Sequence, residues 1–298
     1  MNNAIEMKGV IRRFGKKEIL RGVTASAEKG KVIGLLGRNG EGKSTLFKIL
    51  LDMLAADAGE IKIAGLTPDG SGQIRQKVGY MPERPEFHRF MTIEEVFALR
   101  GRFFENWDRH RADALARRLE LNCKAPVAGA SKGMLGKAAL VCALAHDPEL
   151  LLLDEPTSGL DPIVRDGVLG EVIHELHGTG KTIVVSNHRM EEMGALIDEV
   201  WVLAGGKIAA VHEVERLRSE ACRIVARAKS GAYPGTGLNV VEMETVGPVT
   251  EWAAFDTESA ERLSKAWGIE AVDREPLPLE TTLKLLLKEA DETEAQNV

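Results

Sequence analysis

The chain has 298 residues, of which 44% are hydrophobic and 28% charged, with a formal net charge of −6. That length suits one large domain or a domain with an appendage, and the composition excludes a collagen-like, disulfide-stapled or wholly disordered chain. The negative balance argues against a protein that works by coating nucleic acid. No apolar run approaches the roughly 18 residues that span a bilayer; the longest, 138–145, has eight. Glu6 precedes any apolar stretch, which argues against a secretory signal. Cys123, Cys142 and Cys222 are odd in number, lack metal-ligand spacing and read as reduced cytosolic residues.

Charge is unevenly spread. Residues 213–298 carry 17 acidic and 10 basic side chains, which leaves 28 and 29 for residues 1–212. A nearly neutral body with an acidic C-terminal piece predicts a boundary near residue 212.

In chain order, residues 31–36 (KVIGLL) predict a buried strand. Phe47, Leu50, Leu51 and Leu54 then recur at helical spacing, the apolar face of a helix. Residues 90–145 read as helical and more charged, a helical insertion. Residues 150–153 (LLLL) and 182–185 (TIVV) predict central strands of a mainly parallel α/β sheet. After Gly205 and Gly206 the pattern changes. Residues 222–228, 240–246 and 250–255 read as strands. Ala260, Leu263 and Trp267 mark one helix face, and Leu279, Leu283, Leu286 and Leu287 another, a small α+β appendage.

Residues 37–44, GRNGEGKS, satisfy the phosphate-loop pattern G-x-x-x-x-G-K-[ST] between a strand and a helix. A triphosphate is held best by converging backbone N–H groups, which need glycines without Cβ atoms, and Gly37, Gly40 and Gly42 supply them. The following helix adds its positive N-terminal end. Lys43 is expected to reach the β- and γ-phosphates of a nucleoside triphosphate, and the Ser44 hydroxyl to ligate Mg²⁺, a pattern that GTPases, kinases, helicases and transporters share. The loop from Gly37 through Arg38, Asn39, Glu41 and on to Thr45 is thus the expected nucleotide cradle. The leucine strand ends in Asp154 and Glu155. Such a pair is often a solvated turn, but opposite a phosphate loop Asp154 suits Mg²⁺ through water, and Glu155 suits deprotonation of an attacking water.

Residues 130–161, ASKGMLGKAALVCALAHDPELLLLDEPTSGLD, followed by SNH at 186–188, narrow the choice. Here the sequence resembles the ATP-binding subunit of an ABC transporter, over about residues 4–212. The resemblance implies a P-loop NTPase of ABC type: a mixed, mainly parallel sheet with a helical subdomain at about 88–145. Residues 1–212 would form this ATP-binding domain and 213–298 an accessory domain. Ser131, Lys132, Gly133 and Met134 lie where the family has its signature, so Ser131 and Gly133 would meet ATP held by a second subunit paired head to tail; the bland alternative for Ser131 is a helix N-cap. Asp161 falls in the family's D-loop, and His188 matches its switch histidine. Phe14 takes the place of the aromatic that stacks on adenine, or else plugs the core. The SKGM signature, the PERPEF segment at 82–87 and the short appendage look most like the drug, antibiotic and lipid exporter branch.

The resemblance puts the family's Q-loop glutamine, a Mg²⁺ ligand, near Tyr80, Met81, Pro82 and Glu83, where the candidate is Glu83, and Lys132 replaces the first signature glycine. Neither change removes the lysine, the metal ligand or the base, so an active ATPase is expected. The implied partners are a second ATP-binding subunit, identical or related, and a separate transmembrane permease, with the chain cytoplasmic and peripheral on the inner membrane face. Arg84, His88, Arg89 and Phe90 offer an aromatic and positive surface for a permease, or a solvated helix face. The competing readings are a non-transport ABC ATPase acting on ribosome or DNA, and a regulatory nucleotide module without turnover. A single phosphate loop, the lack of sustained heptads and the acidic tail argue against the former.

Overall fold

The structure, a computed structural model, describes residues 3–156, 176–186, 196–227, 239–246, 249–266 and 274–296. The chain opens with β1 (Asn3–Phe14) and β2 (Lys17–Glu28), a long antiparallel hairpin extended on the other side of β1 by β4 (Ala58–Ile63). The six-stranded sheet beneath has the order β5 (Val78–Met81), β6 (Leu150–Asp154), β7 (Thr182–Ser186), β3 (Val32–Leu36), β8 (Glu199–Ala204) and β9 (Lys207–Glu213). Its first five strands run parallel and β9 runs antiparallel to β8, the expected mixed, mainly parallel sheet.

Every residue of β3, β6 and β7 is buried, which is why these strands read as unbroken apolar runs. Successive side chains point to opposite faces. Leu150 and Leu152 therefore join Leu35, Trp201 and the hairpin residues Ile5 and Leu20 in one core. Leu151 and Leu153 face a second core on the other side. Helix α1 (Lys43–Leu50) lies between the two sheets and places Leu46, Phe47 and Leu50 in the first core. It stops at Leu50, one turn short of the apolar repeat: Leu51 caps it, and Asp52 turns the chain with φ 53°.

The stretch read as helical throughout resolves into three helices separated by loops. These are α3 (Ile93–Arg100), α4 (Arg109–Arg118) and α5 (Lys132–Leu144); a short α2 (Gln73–Lys77) precedes them. Thr92 and Glu95 form a capping box on α3, Asp108 caps α4 and Ser131 caps α5. Arg84, His88, Arg89 and Phe90 sit on the loop before α3, not on a helix face. Phe90 is 82% exposed there, with its ring stacked on His88 at 5.4 Å.

β9 ends at Glu213 and α6 (Val214–Glu220) begins at the next residue, with no linker. β10 (Cys222–Arg227), β11 (Val240–Val246), β12 (Val249–Ala254) and β13 (Arg274–Pro276) form an antiparallel sheet of order β11-β12-β10-β13. One face packs Ile224, Trp252 and Ala254 against Ala260 and Leu263 of α7 (Thr257–Ala266). The other face contributes Val241, Ala253 and Phe255 to the second core of the body, with Leu283 and Leu286 of α8 (Leu279–Gln296). The apolar core thus crosses the charge boundary. Trp267, read as part of the α7 face, lies outside the described residues.

Candidate functional site

The site begins where β3 ends. Gly37 is closed in: a Cβ there would stand 2.7 Å from the Leu203 carbonyl oxygen on β8. At Gly42, φ is 105° and a Cβ would meet Leu20 and Ile19 at 2.9 and 3.0 Å. Gly40 has φ 95° and open space on its Cβ side. The loop is therefore pressed against the hairpin and β8 on its protein side and open on the other. Gly42 caps α1 with no side-chain acceptor, so the N–H groups of the first turn keep their positive end for an anion.

Lys43 folds back under this loop. Its Nζ donates to the Gly37 and Arg38 carbonyl oxygens at 2.6 and 3.2 Å, and it lies 3.8 Å from Glu155 Oε1. Burial holds the Lys43 pKa below its ordinary value, while Glu155 and Asp154 pull it back up.

Asp154 and Glu155 close the opposite wall. Parallel pairing sets Asp154 beside Ser186, whose Oγ donates to Asp154 Oδ1 at 2.6 Å. The Glu155 N–H donates to the Ser186 carbonyl at 3.0 Å and to its Oγ at 3.1 Å. Glu155 occupies the left-handed region, with φ 48°, which redirects the chain sharply at the strand end. On the neighbouring strand β5, the Tyr80 phenol lies in the field of the Asp154 carboxylate. Burial first, then that carboxylate, raises the Tyr80 pKa. Asp154 and Glu155 are only 3% and 7% exposed, so the pair is no solvated turn.

These groups surround a cleft of about 320 Å³ lined by Phe14, Ile19, Arg38, Asn39, Gly40, Gly42, Lys43, Ser44, Thr45, Glu83, Asp154 and Glu155. The fold thus gathers residues from β1, β2, the loop and α1, the segment after β5, and the end of β6. Gly37 stands behind the lining as acceptor for Lys43, and Glu41 acts on Lys43 through its charge. Phe14 is half-exposed at the rim with the Arg12 guanidinium 4.8 Å from its ring centroid, so it does not plug the core. Ser131 and Gly133 lie outside this cleft. The Ser131 hydroxyl accepts the Met134 N–H at 3.2 Å, the ordinary cap geometry, and leaves the start of α5 facing outward. Asp161 and His188 lie outside the described residues. Sequence reasoning missed Ile19, Tyr80 and Ser186. Only Tyr80 and Ser186 gave a signal, as hydroxyl residues on strands flanking the Asp-Glu strand.

The donor set fits a nucleotide and its cation. An open cradle of backbone N–H groups with a buried lysine suits phosphates. Among the described residues no three His, Cys, Asp or Glu side chains assemble into a metal cage. A divalent cation here would draw on the Ser44 hydroxyl, the Asp154 and Glu83 carboxylates, phosphate oxygens and water, the mixed shell that Mg²⁺ prefers.

A family model described as ABC transporter matches residues 20–158. "Nod factor export ATP-binding protein I" of Ralstonia nicotianae is 35% identical over 209 residues, covering 68% of this chain and 65% of that protein. The protein of the same name from Rhizobium sp. (strain N33) is 34% identical over 230 residues, covering 74% of this chain and 75% of the relative. Among solved structures, one described as an ATP binding subunit of an ABC transporter superposes with a TM-score of 0.67. It is 30% identical and is covered over 92% of its length by 72% of this chain.

Proposed function

This chain belongs to the ABC transporter ATP-binding family, and from that premise we propose that it is the ATP-hydrolysing subunit that drives a separate membrane permease, for export. The observation that carries the hydrolytic reading is the convergence of Lys43, Asp154 and Glu155, all nearly dry, on one cleft beside the phosphate loop. In this reading the loop from Gly37 to Thr45 binds the triphosphate. Lys43 exchanges its bonds to the Gly37 and Arg38 carbonyls for phosphate oxygens. Phe14 offers its exposed face to the adenine. Ser44, Asp154 and Glu83 hold Mg²⁺, which supplies charge neutralisation at the phosphate oxygens. Glu155 accepts a proton from the attacking water as the terminal P–O bond breaks.

Ser131 and Gly133, facing away from the chain's own cleft at the head of α5, suit the phosphates of ATP held by a second, head-to-tail subunit. Shared ATP then stabilises the closed pair and hydrolysis opens it. Asp161 and His188 complete the same reading from outside the described residues. We read residues 1–212 as the ATPase body and 213–298 as an accessory unit packed on it. Among the described residues no helix is long and apolar enough to cross a membrane. The exposed Phe90 and His88 stack, with Arg84 and Arg89 beside it, suits that contact at the inner membrane face. The export direction draws support from the relatives named for export.

The test is Glu155→Gln in the purified chain. ATP turnover should fall by roughly 10²–10⁴-fold while ATP binding persists. Equal turnover in the two proteins overturns the assignment.

A further inference from the structure

The carboxylate pair is held from behind by a residue of the SNH segment to which the resemblance gives no role. Ser186, the last residue of β7, is fully buried. Its hydroxyl donates to Asp154 Oδ1 and accepts the Glu155 N–H, at 2.6 and 3.1 Å, while its carbonyl takes the same N–H at 3.0 Å. One hydroxyl thus touches the side chain of the first carboxylate residue and the backbone of the second. Glu155 needs this support, since a non-glycine residue at φ 48° is strained and persists only where neighbours over-determine it. Tyr80 lies on the strand that flanks β6 on its other side and acts on Asp154. Ser186 is the member of the network that joins the two.

Resting on the hydrolytic reading above, we propose that Ser186 is a positioning residue for ATP hydrolysis. Its hydroxyl locks the Asp154 carboxylate and the Glu155 backbone into one fixed relation, so the cation-holding oxygen and the base move as a unit. Losing the hydroxyl leaves Asp154 with one donor fewer and leaves the Glu155 N–H on the Ser186 carbonyl alone, a looser hold on a strained conformation. That withdraws the base from the γ-phosphate side of the cleft while the phosphate loop stays intact.

Substitution in the full chain separates this role from packing, because threonine and valine share a shape and differ in the hydroxyl. The readouts are kcat and KM for ATP, ATP binding, and the thermal midpoint of each variant. Ser186→Val and Ser186→Ala should lower kcat roughly tenfold or more, with KM and ATP affinity within about threefold. Ser186→Thr should keep kcat within about threefold of the wild type. Wild-type kcat in the valine variant overturns the proposal, as does equal impairment of the threonine and valine variants. Loss of ATP binding in step with thermal stability also overturns it, because that marks a purely structural residue. Wild-type turnover that Glu155→Gln leaves unchanged defeats the hydrolytic reading and this inference together. Turnover that Glu155→Gln abolishes but Ser186→Val spares defeats this inference alone.

Discussion

His146, just beyond α5, ties the stability of the helical subdomain to pH. Its ring stacks on Phe104, with centroids 4.1 Å apart and planes at 27°, and it is 1% exposed. Neither ring nitrogen has a hydrogen-bond partner among the described residues. Burial lowers its pKa from 6.5 to about 4; the nearby backbone at Val78 and Cys142 offsets part of this, and the Arg100 charge adds to the fall. Between those two values the unfolded chain binds a proton that the folded chain refuses, so stability falls as pH falls. The contribution is intact above pH 6.5 and gone below about pH 4. Linkage gives a loss of about 2 kcal/mol between pH 7.5 and pH 5, rising toward about 3 kcal/mol at lower pH. His146→Phe keeps a ring on Phe104 and removes the titration. Urea unfolding of both proteins at pH 7.5, 6 and 5 measures the difference, with the carboxylate background common to the two. The wild type should lose about 2 kcal/mol more than the variant over that range. Parallel pH dependences, within about 0.5 kcal/mol, would refute the reasoning.

Gly37→Ala sets a methyl against the rigid backbone of β8 at Leu203, which should cost about 1–3 kcal/mol in urea unfolding and weaken ATP binding. Phe14→Ala should raise the Kd for ATP roughly 2–10-fold and leave stability within about 0.5 kcal/mol, because the ring is half-exposed. Titration with ATP and a thermal melt check the two halves of that statement. Ser131→Asp retains an N-cap as good as serine, so the melting temperature should hold. In the proposed head-to-tail pair its negative charge would oppose the partner's phosphates and should abolish turnover; a variant with the wild-type rate would remove that arrangement.

The continuous apolar runs of β3, β6 and β7 were legible because strands covered on both faces need no polar residue at any position. The phosphate loop was legible because its chemistry depends on residues adjacent in sequence. The hairpin of β1 and β2 was not. Its burial alternates irregularly, several register shifts interrupt it, and charged residues sit on its open face, so no clean period of two survives. Helix α1 read too long because the apolar repeat continues through Leu54, while the chain turns at Asp52 to enter β4. The acidic composition of residues 213–298 marked a change of surface, yet their core continues into the body through Val241, Phe255 and Leu286. Charge reports the solvent side of a piece of chain and is silent about the apolar face it buries.

By itself, then, the sequence determined the chemistry at the site: a glycine cradle, a lysine, a hydroxyl and two carboxylates at fixed spacing. The tertiary structure decided which of these are dry and what holds them. Asp154 and Ser186 are 32 residues apart and meet only because β6 and β7 pair in parallel register. Phe14 reaches the cleft rim only because the N-terminal hairpin is laid over α1. Such lateral contacts depend on which strands become neighbours and in what register. Burial of the whole core sets that register, and no local pattern encodes it.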